Sequence, residues 1–158
     1  MKFTHDMTYD ASPDQVRAML EDPGFREQVC KAMKSVRHDV SIDTDGDRMT
    51  VKVDQTQPAK GIPSFAKRFV GDQIQIVQHE SWSGPTAAGL ELEIPGKPGH
   101  MKGSIALTGD GSSTTETVAG EIKVSIPMVG GKLESLIGDL LRSALRTEEK
   151  VGRKYLAG

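Results

Sequence analysis

The sequence predicts an α+β fold in which a curved antiparallel sheet of about seven strands wraps around a long C-terminal helix. Three observations lead there. Polarity alternates with a period of two over residues 1–10 and over most of 36–126. Short turns rich in Gly and Pro join the later runs, which makes successive strands antiparallel neighbours. After Gly130-Gly131 the period becomes helical and stays so to about Tyr155.

Each element has its own justification. In the first strand Phe3, His5, Met7 and Tyr9 share one face, and Thr4, Asp6 and Thr8 the other. Ser12 is suited to an N-cap, Pro13 to the first helical position, and Gln15 to completing a capping box. Asp22-Pro23-Gly24 ends that helix after Leu20 and begins a second short one through Val29 and Met33. Val36, His38, Val40 and Ile42 then alternate with Arg37, Asp39 and Ser41. Beyond Asp45-Gly46 the alternation continues through Met49, Val51 and Val53, so a hairpin is expected. Residues 57–71 interrupt the sheet and contain Phe65, Phe69 and Val70, a group suited to a helical turn. Strands are expected again over 73–82, 88–94, 101–107 and 114–126. Gly84-Pro85, the turn at 96–99 and Gly109-Asp110-Gly111 separate them.

At about 1.5 Å per residue the last helix is about 37 Å long. Leu133, Leu136, Ile137, Leu140, Leu141, Ala144, Val151 and Tyr155 gather on one broad apolar face. Arg142, Arg146, Glu149 and Arg153 are expected opposite, in water. No repeat or linker divides residues 1–158, so one domain is expected. A meander of this size twists and curls, and only the long helix can cover its concave face. Such an arrangement often leaves an internal void, a common setting for a small ligand.

Composition removes several function classes. The net charge of −2, with scattered basic residues, gives no footprint for nucleic acid or an anionic membrane. Aromatic residues, at 4 %, are too few for a base-stacking platform. Cys30 stands alone, so no internal disulfide forms, and the chain contains no Asn to be glycosylated. Residues 1–10 lack the apolar stretch of a signal peptide, and no apolar run reaches the ~18 residues of a membrane span. A cytoplasmic protein without an integral membrane segment is the expectation.

Pro63-Ser64-Phe65, Phe69-Val70-Gly71-Asp72, Glu80-Ser81-Trp82, the run from Ile126 to Glu134 and the run from Glu148 to Arg153 carry a likeness to known proteins. With the element order, they make the chain resemble the START-like (SRPBCC) superfamily, which includes Bet v 1-like proteins, polyketide cyclases and coenzyme Q-binding proteins. It looks more particularly like a bacterial domain-of-unknown-function family within it. The resemblance implies a helix-grip fold over nearly the whole chain and does not fix an activity.

Candidate residues follow from the expected inner surface. Glu148 falls on the apolar face of the long helix, between Ala144 and Val151, where a carboxylate needs a partner or a purpose. It either reaches solvent or an arginine near the helix end, or serves as the polar anchor or acid/base of an apolar pocket. Ile137, Leu140, Leu141 and Ala144 would line that pocket from the helix, and His38 and Trp82 from the sheet. His5 and His38 lie on the apolar phase of their strands, as core histidines or ligand contacts; His79 and His100 are expected at the surface. Phe65 and Phe69, four apart, either anchor their segment or close the pocket mouth.

No histidine pattern has metal spacing, and Asp43, Asp45 and Asp47 lack the glycine and final Glu of a calcium loop. Gly109-Asp110-Gly111-Ser112-Ser113 lacks the Lys of a phosphate loop. No nucleophile motif surrounds Cys30. Three functions are therefore expected in competition. The first is non-catalytic binding or carriage of a small hydrophobic ligand, of lipid, quinone or polyketide type. The second is a cyclase- or hydrolase-type enzyme using Glu148 or His38. The third is a protein-interaction module with a filled core and a surface around 57–71. The sequence implies no cofactor and no metal, and identifies no protein partner.

Overall fold

A computed structural model describes residues 1–158. Strand β1 (Lys2–Tyr9) leads into helices α1 (Pro13–Glu21) and α2 (Pro23–Ala32). The hairpin β2 (Arg37–Asp45) and β3 (Arg48–Pro58), the short helix α3 (Ser64–Val70) and strands β4 (Gln73–Trp82), β5 (Ala87–Glu93), β6 (Gly99–Gly109) and β7 (Thr114–Val124) follow. Helix α4 (Gly130–Ala157) ends the chain. All seven strands form one antiparallel sheet in the order β1-β7-β6-β5-β4-β3-β2, so β1 alone leaves meander order and closes against β7. The α+β helix-grip architecture expected from the sequence is the one observed.

The local chemistry explains the boundaries. Ser12 Oγ accepts from the Gln15 N–H at 3.2 Å while Gln15 Oε1 accepts from the Ser12 N–H at 2.9 Å, a complete capping box. Asp22 ends α1 and caps α2, its carboxylate accepting the Gly24 N–H at 2.8 Å. In the first hairpin Asp45 pairs with Arg48, so the turn is Gly46-Asp47, one residue later than the sequence suggested. Gly46, at φ 61°, supplies the positive φ that a two-residue hairpin needs at its first position.

The register sets one continuous row across the inner face: Ile42, Val51, Glu80, Leu90, Gly103, Gly120 and Phe3. Two glycines meet where β6 crosses to β7. A Cβ on Gly103 would lie 2.0 Å from the Ala119 carbonyl oxygen, and one on Gly120 2.4 Å from that of Lys102. Side chains there would force the two strands apart.

Helix α4 lies along β1 and β7 rather than over the middle of the sheet. Its deeply buried positions are Gly130, Leu133, Gly138, Leu145 and Gly152. Added Cβ atoms would stand 2.5 Å from Met1 Cε at Gly138 and 2.8 Å from Tyr9 Cε1 at Gly152, so the helix approaches β1 through its small residues. This rotates the expected apolar face. Leu140 is 44 % exposed, and two of the residues expected opposite it in water face β1 instead. The Arg142 guanidinium sits 4.9 Å over the Phe3 ring, and Glu149 accepts the Thr8 N–H at 2.8 Å. A pattern of large apolar residues misses a contact built from glycine.

The core has two parts. The larger cluster joins α1, α2, β1 and the sheet around Met7, Tyr9, Phe25, Met49, Trp82 and Ile105. The smaller one joins α3 to the start of α4 through Ile62, Ala66, Val124 and Leu133, with Phe65 and Phe69 packed against it. No helix is long and apolar enough to cross a membrane.

Candidate functional site

Strand periodicity explains how polar groups enter the interior. On β4 the residues in phase with Trp82 are Glu80, Gln78, Ile76 and Ile74, and on β7 Glu116 shares the inner face with Thr114 and Val118. Glu80 and Glu116 are each 2 % exposed. A buried carboxylate must be paired, neutralised or used, and these two differ in which applies.

Glu80 is paired. Arg26, reaching in from α2, donates Nη1 to Glu80 Oε2 at 2.7 Å and Nη2 to Oε1 at 2.9 Å, a two-point fork. Arg26 Nε donates to the Leu20 carbonyl at 3.0 Å. Trp82 Nε1 donates to Glu80 Oε1 at 2.8 Å, and Gln78 Nε2 donates to Oε2. Burial alone would raise this carboxyl's pKa, yet the Arg26 charge and the donated hydrogen bonds bring it below the usual carboxylate range. Arg17, itself buried on α1, stacks 5.1 Å over the Trp82 ring and donates to the Gly84 carbonyl at 2.9 Å, which fixes the indole from the α1 side.

Glu116 is not paired. Its Oε1 has no hydrogen-bond partner although it is shut away from solvent. Burial is the largest influence on it, and the charges of Glu148 and Glu80 add to this, so its pKa stands well above the ordinary range. Glu148 on α4 behaves similarly: burial pushes its carboxyl up to about 7, against the opposing pull of Arg26. The field of Glu148 also reaches Tyr9 on β1 and Cys30 on α2. The interior therefore holds three carboxyl groups, from β4, β7 and α4, around one guanidinium. No three His, Cys, Asp or Glu side chains converge as metal ligands.

Glu148 keeps part of its accessible surface even though desolvation dominates its carboxyl. Gln78 and Leu92 on the sheet and Leu141 and Ala144 on α4 are likewise only partly buried. Leu92 and Leu141 pack against the larger apolar cluster. A depression of about 340 Å³ lies at the β5–β6 turn, bordered by Leu92, Glu93, Pro95, Lys97, His100 and Met101.

The residues singled out from the sequence are distributed as follows. Glu148, Ala144, Leu141 and Ile137 lie on the inward side of α4, whereas Leu140 turns outward. Trp82 is fully buried as a donor to Glu80. His38 is on the inner face of β2, opposite Gln55. Phe65 and Phe69 belong to the smaller cluster at the other end of the sheet from α1. His5 Nε2 is buried without a partner, and burial together with Arg142 and Arg146 lowers its pKa. The Cys30 thiol, raised by burial to about 11, stays protonated. Sequence reasoning missed Arg26, Glu80 and Glu116. The phase of Glu80 and Glu116 was readable, being that of Trp82 and Val118; the reach of Arg26 from a helix was not.

A family model described as a protein of unknown function (DUF2505) matches residues 4–156. Among solved structures, the chain is similar to the TTHA0849 protein of Thermus thermophilus, with a TM-score of 0.64 and 16 % identity over 96 % of this chain and 97 % of that one. A START superfamily protein of Mycobacterium smegmatis gives 0.61 and 12 % identity over 98 % of each chain. Norcoclaurine synthase of Thalictrum flavum gives 0.58 and 16 % identity over 96 % and 85 %. No curated protein matches the chain. At these identities the neighbours establish the fold, which is START-like.

Proposed function

This chain belongs to the DUF2505 family and folds as a START-like protein, and from that premise we propose that it binds a small, largely apolar molecule between the sheet and α4. The observation that carries the reading is the unpaired, buried carboxyl group of Glu116 on β7, a strand along which α4, the helix of Glu148, packs. Apolar walls would supply the affinity, and the buried carboxyl groups would orient the polar end. A lipid, a quinone or a polyketide-like metabolite has the required shape. Phe65 and Phe69 would form the closure at the α3 end.

Native mass spectrometry of protein purified from its own host tests this. The expected result is a co-purified adduct of small-molecule mass that is lost in Leu141→Trp, which fills the space. A bare mass, with no thermal stabilisation by 1-dodecanol, overturns it. Phe65→Ser with Phe69→Ser is expected to speed ligand exchange; unchanged rates would remove the closure from the proposal.

A second reading has its own support. A carboxyl group at about 7 gives and takes protons at neutral pH, as a general acid or base must. Norcoclaurine synthase, by its name an enzyme, uses the same fold. Under this reading Glu148→Gln abolishes turnover and leaves binding intact.

A further inference from the structure

The interior charge is unbalanced, and the imbalance has a direction. Glu80, Glu116 and Glu148 contribute three carboxyl groups, and Arg26 the only guanidinium among them. The fork of Arg26 is closed on Glu80 and its Nε on Leu20, so it is not turned toward an incoming anion. Arg17 is also buried, but it is stacked on the Trp82 ring and held by Gly84 and Glu21, and its charge does not act on Glu116 or Glu148. Tyr9 and Cys30, the other titratable groups within reach, stay neutral because burial raises both. On the outer side of α4, Arg153 is committed to Thr8 and Glu149. Nothing in the chain supplies a second cation to Glu116 or Glu148. Glu116 Oε1, buried on the inner face and without any donor, marks where one is missing.

We propose that the bound molecule carries a protonated amine, seated between Glu116 and Glu148, on an apolar body. This rests on the interior-binding reading above and narrows its ligand class. An ammonium group brings three N–H donors and one positive charge, answering both the orphaned acceptor and the excess of acid. A carboxylate- or phosphate-headed molecule of the same body would add a charge of the wrong sign and is excluded. The proton balance is explicit. In the free protein the Glu116–Glu148 pair holds a proton that relieves their repulsion. An amine that enters as the ammonium ion displaces that proton to solvent, leaving both carboxylates ionised around the new cation.

Titration calorimetry at pH 7 with dodecylamine, 1-dodecanol and dodecanoate, in two buffers of different ionisation enthalpy, tests the idea. Dodecylamine is expected to bind about 10–100-fold more tightly than 1-dodecanol, the range of a charged hydrogen bond. Proton release should appear as a buffer-dependent heat, and dodecanoate should bind most weakly. Glu116→Gln and Glu148→Gln, each isosteric and checked by circular dichroism, should abolish the amine preference and the proton release while leaving 1-dodecanol binding in place. Equal binding of amine and alcohol, absence of proton release, or an amine preference that survives both substitutions overturns the amine assignment alone. If none of the three probes binds, the interior-binding reading falls and takes this one with it.

Discussion

Arg26 and Glu80 illustrate how one pair can be fully satisfied and still be fragile. Taking both charges out of water is costly, and the pair persists because four donors converge on the carboxylate and a carbonyl takes the remaining Arg26 Nε–H. Removing one partner leaves the other charged and buried. Glu80→Gln is expected to cost about 3–5 kcal/mol in urea unfolding, whereas Arg26→Met with Glu80→Leu should cost much less or nothing. A double variant as unstable as the single one would contradict this. Glu116 presents the reverse case, because nothing pairs it. Its raised pKa means that the fold binds a proton more tightly than the unfolded chain does. Stability is therefore intact below the ordinary carboxylate range and is lost as pH rises toward the raised folded-state value. Glu116→Gln removes that loss. The variant's advantage in melting temperature should be near zero at pH 4 and grow toward pH 8, by about 2–4 °C for each kcal/mol regained. A gap that does not change with pH would show that the carboxyl is ionised in the fold. Glu80 and His5, both shifted downward, act on the acid side in the opposite sense and cancel in this comparison.

Among the elements, legibility followed how far the pattern depends on side chains. The capping box at Ser12, the shared cap at Asp22 and the strand phases could be read because each is a local preference written in neighbouring residues. The rotation of α4 could not, because its contact with β1 is made where side chains are absent. Arg26 escaped notice for a related reason: from sequence, a charged residue on a short helix belongs on its solvent side. The α4 contact makes a direct prediction. Gly152→Leu places a side chain against the Tyr9 ring and the Met19 methyl, both in the larger cluster, and should destabilise by about 1–3 kcal/mol by overpacking. Leu140→Ala, on the exposed side of the same helix, should change stability by less than about 1 kcal/mol. Equal effects in denaturant titrations would mean that the helix does not sit on β1 through its glycines.

At the scale of the molecule the two clusters are unequal. One draws on α1, α2, β1 and most of the sheet, and the other on the short helix α3, the end of β7 and the start of α4. A molecule that binds the fold and not the unfolded chain should raise stability by about 2.7 kcal/mol at a hundredfold excess over its Kd, most visibly at the weaker end. The close seat of Gly138 and Gly152 on β1 gives this inequality a kinetic meaning. At Gly152 the helix backbone lies against the Tyr9 ring and the Met19 methyl of the larger cluster, so a shift of α4 there meets packed side chains. Under the binding reading proposed above, compliance would fall to the α3 end, whose local opening would set the waiting time for anything passing between bulk water and the interior. Entry and escape would then share one slow step, and the residence time of a bound molecule would be a property of a seven-residue helix rather than of the surface that recognises it.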